Sequence, residues 1–127
     1  MKKKNTPTES ELEILQILWQ NGSSSVREVN DILNTEREVG YTTTLKIMQI
    51  MNDKGLVVRD TSSRTHIYKA AATEDDTQIK LLVIFIEKTY RGSAMRMIMH
   101  ALGHQEVSGK EIEELKKIID QLEKNNK

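Results

Sequence analysis

The sequence contains no cysteine among its 127 residues. Without thiols the chain can form neither a disulfide framework nor a thiolate metal site, and it fits a reducing compartment. Long apolar runs are absent too, since the longest, Leu81–Ile86, is far too short to cross a bilayer. Lys2–Lys4 are not followed by an apolar segment, so they do not begin a signal peptide. We therefore expect a cytoplasmic protein with no membrane insertion.

The sequence also has no excess of charge of either sign, because 19 basic residues balance 19 acidic ones and the net charge is zero. Residues 1–72 carry ten Lys and Arg against nine Asp and Glu, so their net charge is only +1. A basic excess would have indicated nucleic acid directly, so a DNA-binding hypothesis must depend on where the charges lie. There is no glycine-rich phosphate loop, nucleophile motif or evident carboxylate pair. The sequence therefore predicts neither an enzyme nor a bound cofactor or metal.

The helix boundaries are well marked in this sequence. Three capping boxes, Thr8–Glu11, Ser25–Glu28 and Ser108–Glu111, predict helix starts. Gly22 and Gly55 occupy positions typical of a helix stop. Apolar residues at helical spacing predict helices over residues 8–20, 26–34, 42–54, 74–90 and 94–102, and a last one from 109 onward.

After the third helix the pattern changes to that of strands. Leu56–Arg59 and Arg64–Ala70 flank a polar turn and predict a β-hairpin. Trp19 and Tyr68 are predicted to belong to the core. Three short helices followed by a hairpin are typical of a winged helix. We predict a mainly α (α+β) fold, with a winged helix-turn-helix DNA-binding domain in residues 1–72 and an all-helical dimerisation domain in residues 73–127.

The third helix has a polar face suited to DNA. The second helix of a helix-turn-helix enters the major groove, where Thr, Lys and Gln side chains can contact base edges. Most polar helix faces are merely solvated, so the surrounding order of helices and hairpin strengthens this interpretation. Basic residues on the hairpin and at the start of the second helix would meet phosphates, or are ordinary surface residues. Tyr41 fits a phosphate contact or simple packing, and Lys2–Lys4 fit a basic arm or a solubilising start. The DNA-binding candidates are Arg27, Tyr41, Thr42, Thr43, Lys46, Gln49, Arg64 and His66.

The C-terminal helices carry more apolar surface than a segment of their length can enclose. Burying roughly 1,000 Å² of it against a second copy would contribute on the order of 25 kcal/mol before entropic costs. Two-fold dimers are also the commonest oligomers. We therefore predict a homodimer whose interface includes Ile79, Leu82, Val83, Ile86, Met95, Ile98, Met99, Ile112, Leu115 and Ile119.

Other interpretations of the C-terminal segment stay open. His100 and His104 have a spacing that can place two imidazoles on one helical face, but Gly103 is expected to end the helix between them and no third ligand is evident. The residues Met95–Met99 fit an adaptable ligand pocket or, more simply, packing at the dimer interface. A dimeric helical interaction scaffold is the main alternative function, and a small-ligand-responsive winged-helix regulator is another.

Several segments resemble penicillinase and methicillin-resistance repressors. The resemblance begins with Thr8–Trp19 and Val26–Val29, includes the Tyr41–Leu56 helix and the Arg64–Tyr68 wing, and continues through Phe85–Ser93 and Val107–Leu115. It implies a dimeric bacterial repressor on a palindromic double-stranded DNA operator, with Thr42, Thr43 and Lys46 contacting bases.

The same resemblance implies release of the repressor by proteolysis. A membrane sensor-peptidase would trigger a cut within the dimerisation domain, at an Asn-Phe bond in the better-known members. The pair aligned with that bond here is His100-Ala101. A copper-responsive branch of the family carries a C-terminal cysteine cluster, which this chain lacks.

Overall fold

The computed structural model describes residues 6–126, so Lys2–Lys4 lie outside the described residues. Contacts between residues divide the chain into two compact units, one ending at Leu82 and the other beginning at Val83. The elements in chain order are α1 (Glu9–Asn21), β1 (Ser24–Ser25), α2 (Val26–Leu33), α3 (Tyr41–Lys54), β2 (Val57–Asp60), β3 (Ile67–Ala70), α4 (Glu74–Tyr90), α5 (Ala94–His104) and α6 (Gly109–Asn125).

All three predicted capping boxes are present. The side chains of Thr8, Ser25 and Ser108 each accept a hydrogen bond from the backbone N–H three residues on, and the glutamate there reaches back to the cap. The predicted stop at Gly55 is also confirmed, because its backbone is left-handed with φ 83°. Such a conformation strains any residue with a Cβ atom, which is why glycine ends α3. Local chemistry therefore defines most helix boundaries of this chain.

The sheet contains a strand that the sequence did not predict. Its order is β1-β3-β2, and both pairings are antiparallel. Ser24 and Ser25 of β1 pair with Tyr68 and Ile67 of β3. Two serines show no alternation of apolar and polar residues, so only their partner strand makes them a strand. The first hairpin strand has its predicted length but lies one residue later, at Val57–Asp60. The second is shorter than predicted, and Arg64–His66 lie in the turn because ladder pairing begins at Ile67.

The core of the first unit lies between α1, α2, α3 and the sheet. Tyr68 is 1% exposed, as predicted for a core residue. Trp19 is only half-buried; it packs against the core and its Nε1–H donates to the Ala72 carbonyl at 3.0 Å. The other buried apolar residues are Ile14, Leu15, Ile17, Leu18, Val26, Val29, Leu33, Met48, Met51 and Val57.

A buried amide holds the turn between α2 and α3. Asn30 is 6% exposed, and its Nδ2 donates to the carbonyls of Val39 at 3.0 Å and Gly40 at 3.2 Å, and to Thr44 Oγ1 at 2.8 Å. Asn34 reinforces the same turn, because its Nδ2 donates to Val39 O at 2.9 Å and its Oδ1 accepts from Val39 N at 3.0 Å. Together these bonds fix where α3 begins.

An ion pair joins the C-terminus of α3 to the N-terminus of α1. Lys54, at the end of α3, donates to Glu11 Oε1 at 2.7 Å. The same carboxylate accepts from Thr8 N in the capping box of α1. Glu11 is only 5% exposed, so its charge is compensated by a cation and a backbone amide together.

The second unit has no buried residue in α5, in α6 or in its part of α4. One correction concerns Gly103, which does not end α5: the helix continues through His104 and stops at Gln105, whose N–H donates to Ala101 O. Gly103 takes no left-handed conformation, so its lack of a side chain does not by itself terminate the helix. His100 and His104 therefore lie on successive turns of one helix.

Candidate nucleic-acid interface

The two faces of α3 are separated as the sequence predicted. Thr44, Met48 and Met51 are buried against the core. Thr42, Thr43, Lys46 and Gln49 are exposed on the other side. The packing of the apolar face therefore presents a continuous polar surface, and Asn30 fixes where that surface starts.

The N-terminus of α3 differs from those of α1, α2 and α6. Its N-cap is Gly40, which provides no side-chain hydrogen bond, and its first turn contains no acidic residue. The other three helices have a serine or threonine cap and a glutamate in the first turn. The amides and positive dipole end of α3 are therefore not neutralised locally, which favours an anion such as a phosphate.

A cleft of about 440 Å³ lies between the start of α2, α3 and the hairpin. Five of the eight predicted DNA-binding residues line it together, and no acidic residue is among the described residues that do so. Thr42, Thr43 and Lys46 do not line the cleft. The cleft-lining residues are Ser25, Val26, Arg27, Tyr41, Leu45, Gln49, Arg59, Arg64, Thr65, His66 and Tyr68.

Arg27 and Tyr41 are in direct contact within this cleft. The guanidinium carbon of Arg27 lies 5.0 Å from the centre of the Tyr41 ring, over its face. Such a cation–π contact restrains the arginine while its N–H groups stay available to other acceptors. The structure therefore gives Tyr41 a packing contact with Arg27, one of the two roles considered from the sequence.

Sequence reasoning missed Arg59, which also lines the cleft. It lies on β2 opposite Tyr68 of β3 and is exposed. The only sequence signal was a basic residue at the end of a predicted strand, next to the turn. With Arg27 and Arg64 it brings three guanidinium groups, the side chains best suited to bidentate phosphate contacts, to one cleft.

The hairpin turn is ordered by its own side chains. The Ser62 backbone N–H donates to Asp60 Oδ1 at 2.9 Å, and this bond holds the pKa of Asp60 below its usual value. Ser63 Oγ donates to Thr65 O at 2.8 Å. Short polar side chains thus stabilise the turn that contains Arg64 and His66.

The predicted dimerisation residues lie on α4, α5 and α6 and are mostly exposed. Ile86 alone among them is half-buried. The other nine, Ile79, Leu82, Val83, Met95, Ile98, Met99, Ile112, Leu115 and Ile119, are 36 to 65% exposed.

The predicted cleavage pair, His100-Ala101, lies inside α5. Among residues 6–126, no group of three or more His, Cys, Asp or Glu side chains could hold a metal ion. None of the helices in that part of the chain has the length and apolar character needed to cross a membrane.

Comparison with known proteins agrees with this architecture. The profile of the penicillinase repressor family matches residues 7–121. The chain is 26% identical over 115 residues to a penicillinase repressor of Staphylococcus aureus, covering 91% of each chain. It is also 26% identical over 127 residues to a penicillinase repressor of Bacillus licheniformis, covering 100% of this chain and 98% of the relative. A methicillin resistance regulatory protein MecI of Mammaliicoccus sciuri is 23% identical, with 87% and 90% covered.

A solved structure shows the same fold in the first unit. The solution structure of the DNA-binding domain of the repressor BlaI matches with a TM-score of 0.52 at 24% identity, covering 60% of this chain and 93% of that domain. The α1-β1-α2-α3-β2-β3 order is accordingly that of a winged helix. Members of the matching family are transcriptional repressors and not enzymes. This chain therefore belongs to the penicillinase repressor family.

Proposed function

We propose that this protein is a homodimeric transcriptional repressor that binds a palindromic double-stranded DNA operator in the cytoplasm. One observation supports it most: the exposed polar face of α3 adjoins a cleft that, within residues 6–126, is lined by three arginines and by no acidic residue. The family's repressors, by their names, act in penicillinase and methicillin-resistance regulation.

Base contacts are assigned to the exposed face of α3. Lys46 would reach guanine edges or a phosphate, Gln49 can bond adenine bidentately, and Thr42 and Thr43 can bond bases or contact a thymine methyl group. The absence of a side-chain cap at Gly40 leaves the first amides of α3 available to a phosphate beside the groove.

Phosphate contacts are assigned to the cleft. Arg27, restrained by Tyr41 at 5.0 Å, would bind the backbone on one side of α3. Arg59, Arg64 and His66, which belong to the hairpin, would bind it on the other. Because net charge is zero, this local grouping and not the overall charge has to provide the electrostatic attraction.

Selection of bound sequences from random duplexes, followed by fluorescence anisotropy across a salt series, tests this proposal. Six or more phosphate contacts should cost about a thousandfold in affinity between about 50 and 200 mM salt. Arg64→Ala should lower the slope of log affinity against log salt by about 1 on every sequence. Lys46→Ala should instead reduce preference for the selected site, and Lys117→Ala on α6 is the matched control.

Failure to retain any duplex at any salt would refute the DNA proposal and favour the interaction scaffold. Unchanged affinity in Lys46→Ala would remove Lys46 from the base-contacting surface. A selected site without two-fold symmetry would refute the palindromic operator and leave the assignment of the DNA-binding face intact.

The exposed apolar side chains of α4, α5 and α6 support a dimer. Met95, Met99 and Ile119 are 65, 64 and 57% exposed, and so many exposed large apolar side chains favour burial in a protein interface. A two-fold dimer would place two α3 helices in grooves about 34 Å apart on one duplex. Dimerisation and operator symmetry therefore belong to one proposal.

Sedimentation equilibrium with charge substitutions tests the dimer. Leu115→Glu, on the apolar stripe of α6, should shift the protein to a monomer at micromolar concentration and weaken operator binding at least tenfold. Lys116→Glu, its neighbour on the exposed helix surface, should do neither. A wild-type protein that sediments as a monomer would overturn the homodimer.

Release by proteolysis, triggered by a sensor-peptidase, is proposed from the family resemblance with His100-Ala101 as the cut pair. This bond lies within α5, where Ala101 O accepts from Gln105 N at 3.0 Å. A peptidase binds an extended chain, so α5 must unwind locally before any cut. Mass spectrometry of the repressor from β-lactam-treated cells should find a fragment ending at His100; derepression with an intact chain would contradict this route.

A further inference from the structure

The second unit contains an ordered row of aromatic and imidazole rings. Tyr90 Oη lies 3.1 Å from His100 Nδ1, and the two rings meet edge to face with centres 5.5 Å apart. The His100 and His104 rings follow at 6.4 Å, also edge to face. This row depends on the continuation of α5 through Gly103, which places the two histidines one turn apart on one face.

Hydrogen bonding determines which nitrogen of His104 is free. Its Nδ1 lies 3.1 Å from the backbone carbonyl of His100. A carbonyl only accepts, so in the neutral imidazole this contact favours a proton on Nδ1 and leaves the lone pair on Nε2. His104 is thus held in the tautomer that binds a metal through Nε2.

His100 has an equivalent arrangement around its Nδ1. The Tyr90 hydroxyl can accept from Nδ1–H, which leaves the lone pair of His100 on Nε2 as well. Histidine ligands of metals usually donate their second ring N–H to an oxygen acceptor, and this contact orients the ring. When the Tyr90 hydroxyl accepts, both histidines have the outer contact of a metal ligand, one from a tyrosine hydroxyl and one from a backbone carbonyl.

We propose that His100 and His104 form a two-histidine site for a divalent transition-metal ion. Two histidines four residues apart on one helix have the spacing that places both on a single ion in known helical metal sites, and because both side chains are exposed, water can complete the coordination. Imidazole ligands favour Cu²⁺, Ni²⁺ and Zn²⁺ over Mg²⁺, with Cu²⁺ the strongest of the series. The chain has no cysteine to compete for these ions.

The site should also affect α5 itself. An ion bound to residues one turn apart links that turn and opposes its unwinding. Amide hydrogen exchange around His100–His104 should therefore slow when the metal is bound, which gives a readout independent of affinity.

Isothermal titration of the full-length protein with Cu²⁺, Zn²⁺ and Mg²⁺ tests the proposal. We expect one Cu²⁺ per chain, weaker binding of Zn²⁺ and none of Mg²⁺. His100→Ala and His104→Ala should each lower Cu²⁺ affinity at least tenfold. His66→Ala, which removes the remaining histidine of the chain, is the matched control and should leave this binding unchanged.

Tyr90→Phe distinguishes a metal site whose histidine is oriented by Tyr90 from chance chelation by two surface histidines. It removes the hydroxyl beside His100 Nδ1 while the ring is retained, and loss of such an outer contact typically costs about tenfold in metal affinity. Equal Cu²⁺ affinity in Tyr90→Phe would show adventitious chelation only and overturn the proposal. Binding that survives both histidine substitutions, or α5 exchange rates unaffected by Cu²⁺, would overturn it as well.

Discussion

Replacement of Asn30 by alanine should destabilise the first unit strongly, although no apolar core residue is lost. Asn30 Nδ2 has two hydrogens and three acceptors within 3.2 Å, so it donates at most two full hydrogen bonds at once. Asn30 Oδ1 also accepts from Asn34 Nδ2 at 3.2 Å, but that donor has two closer acceptors. At about 1 kcal/mol each, with a smaller packing loss added, Asn30→Ala should cost about 2 to 3 kcal/mol. All three acceptors keep another partner: Val39 O accepts from Asn34 Nδ2, Gly40 O accepts from Thr44 N, and Thr44 Oγ1 donates to Gly40 O. The larger penalty of an unpaired buried group therefore does not apply.

The assay is urea unfolding followed by the fluorescence of Trp19. This residue is the single tryptophan of the chain and lies in the first unit, bonded to Ala72 O at 3.0 Å, so it reports unfolding of that unit. For a unit of this size the expected fall in Tm is roughly 10 to 20 °C. Measurements at one protomer concentration keep any contribution of dimerisation constant.

Asn21→Ala is the matched control. It removes one side-chain hydrogen bond, from Asn21 Nδ2 to Ile17 O at 3.0 Å, at an exposed helix end. The loss of stability should be less than about 1 kcal/mol. Asn30→Asp should be worse than Asn30→Ala at neutral pH, because a carboxylate would face the carbonyls of Val39 and Gly40 without a proton to donate. Equal unfolding midpoints for Asn30→Ala and Asn21→Ala would refute the argument that this amide fixes the α2–α3 turn.

Three further predictions concern stability and titration. Lys54→Met leaves the Glu11 carboxylate, 5% exposed, without its cation and should lower the free energy of unfolding in urea by about 2 to 4 kcal/mol. Adding Glu11→Gln should recover part of that loss. An unchanged free energy of unfolding in Lys54→Met would contradict the pairing. Arg37 bonds Glu13 through both oxygens at 2.6 and 2.9 Å and thereby lowers the pKa of Glu13. The stabilisation from this ion pair is therefore present above the ordinary glutamate pKa and is lost as the pH falls through the lowered pKa of Glu13. NMR titration should show that the Glu13 pKa rises in Arg37→Gln. An unchanged Glu13 pKa in that variant would exclude the ion pair in solution. Gly55→Ala should cost about 1 kcal/mol of stability, because φ at this position is 83°. Gly103→Ala, inside α5, should instead raise helix stability by about 0.5 to 1 kcal/mol. Thermal unfolding followed by circular dichroism measures both effects, and a destabilising Gly103→Ala would contradict the continuation of α5 through Gly103.

The helix starts and the two faces of α3 were predictable because their causes are local. A capping box lies within four residues, and the burial of Thr44 and Met48 follows from apolar spacing over one or two turns. The fold class followed from the order of these elements. The end of α5 was predicted wrongly, because glycine is common after helices yet also tolerated inside them, and the residue type alone does not choose between the two.

What the sequence by itself determined is therefore the set of helices, their exposed faces and the winged-helix order, since each depends on residues a few positions apart. The tertiary structure alone decided that Ser24 and Ser25 form a strand against β3. It also decided that Arg27, Arg59 and Arg64 line one cleft, and that Asn30 fixes the start of α3 from the preceding helix. These features join segments far apart in the chain, and no local pattern specifies which distant group a polar side chain will meet once the core has packed.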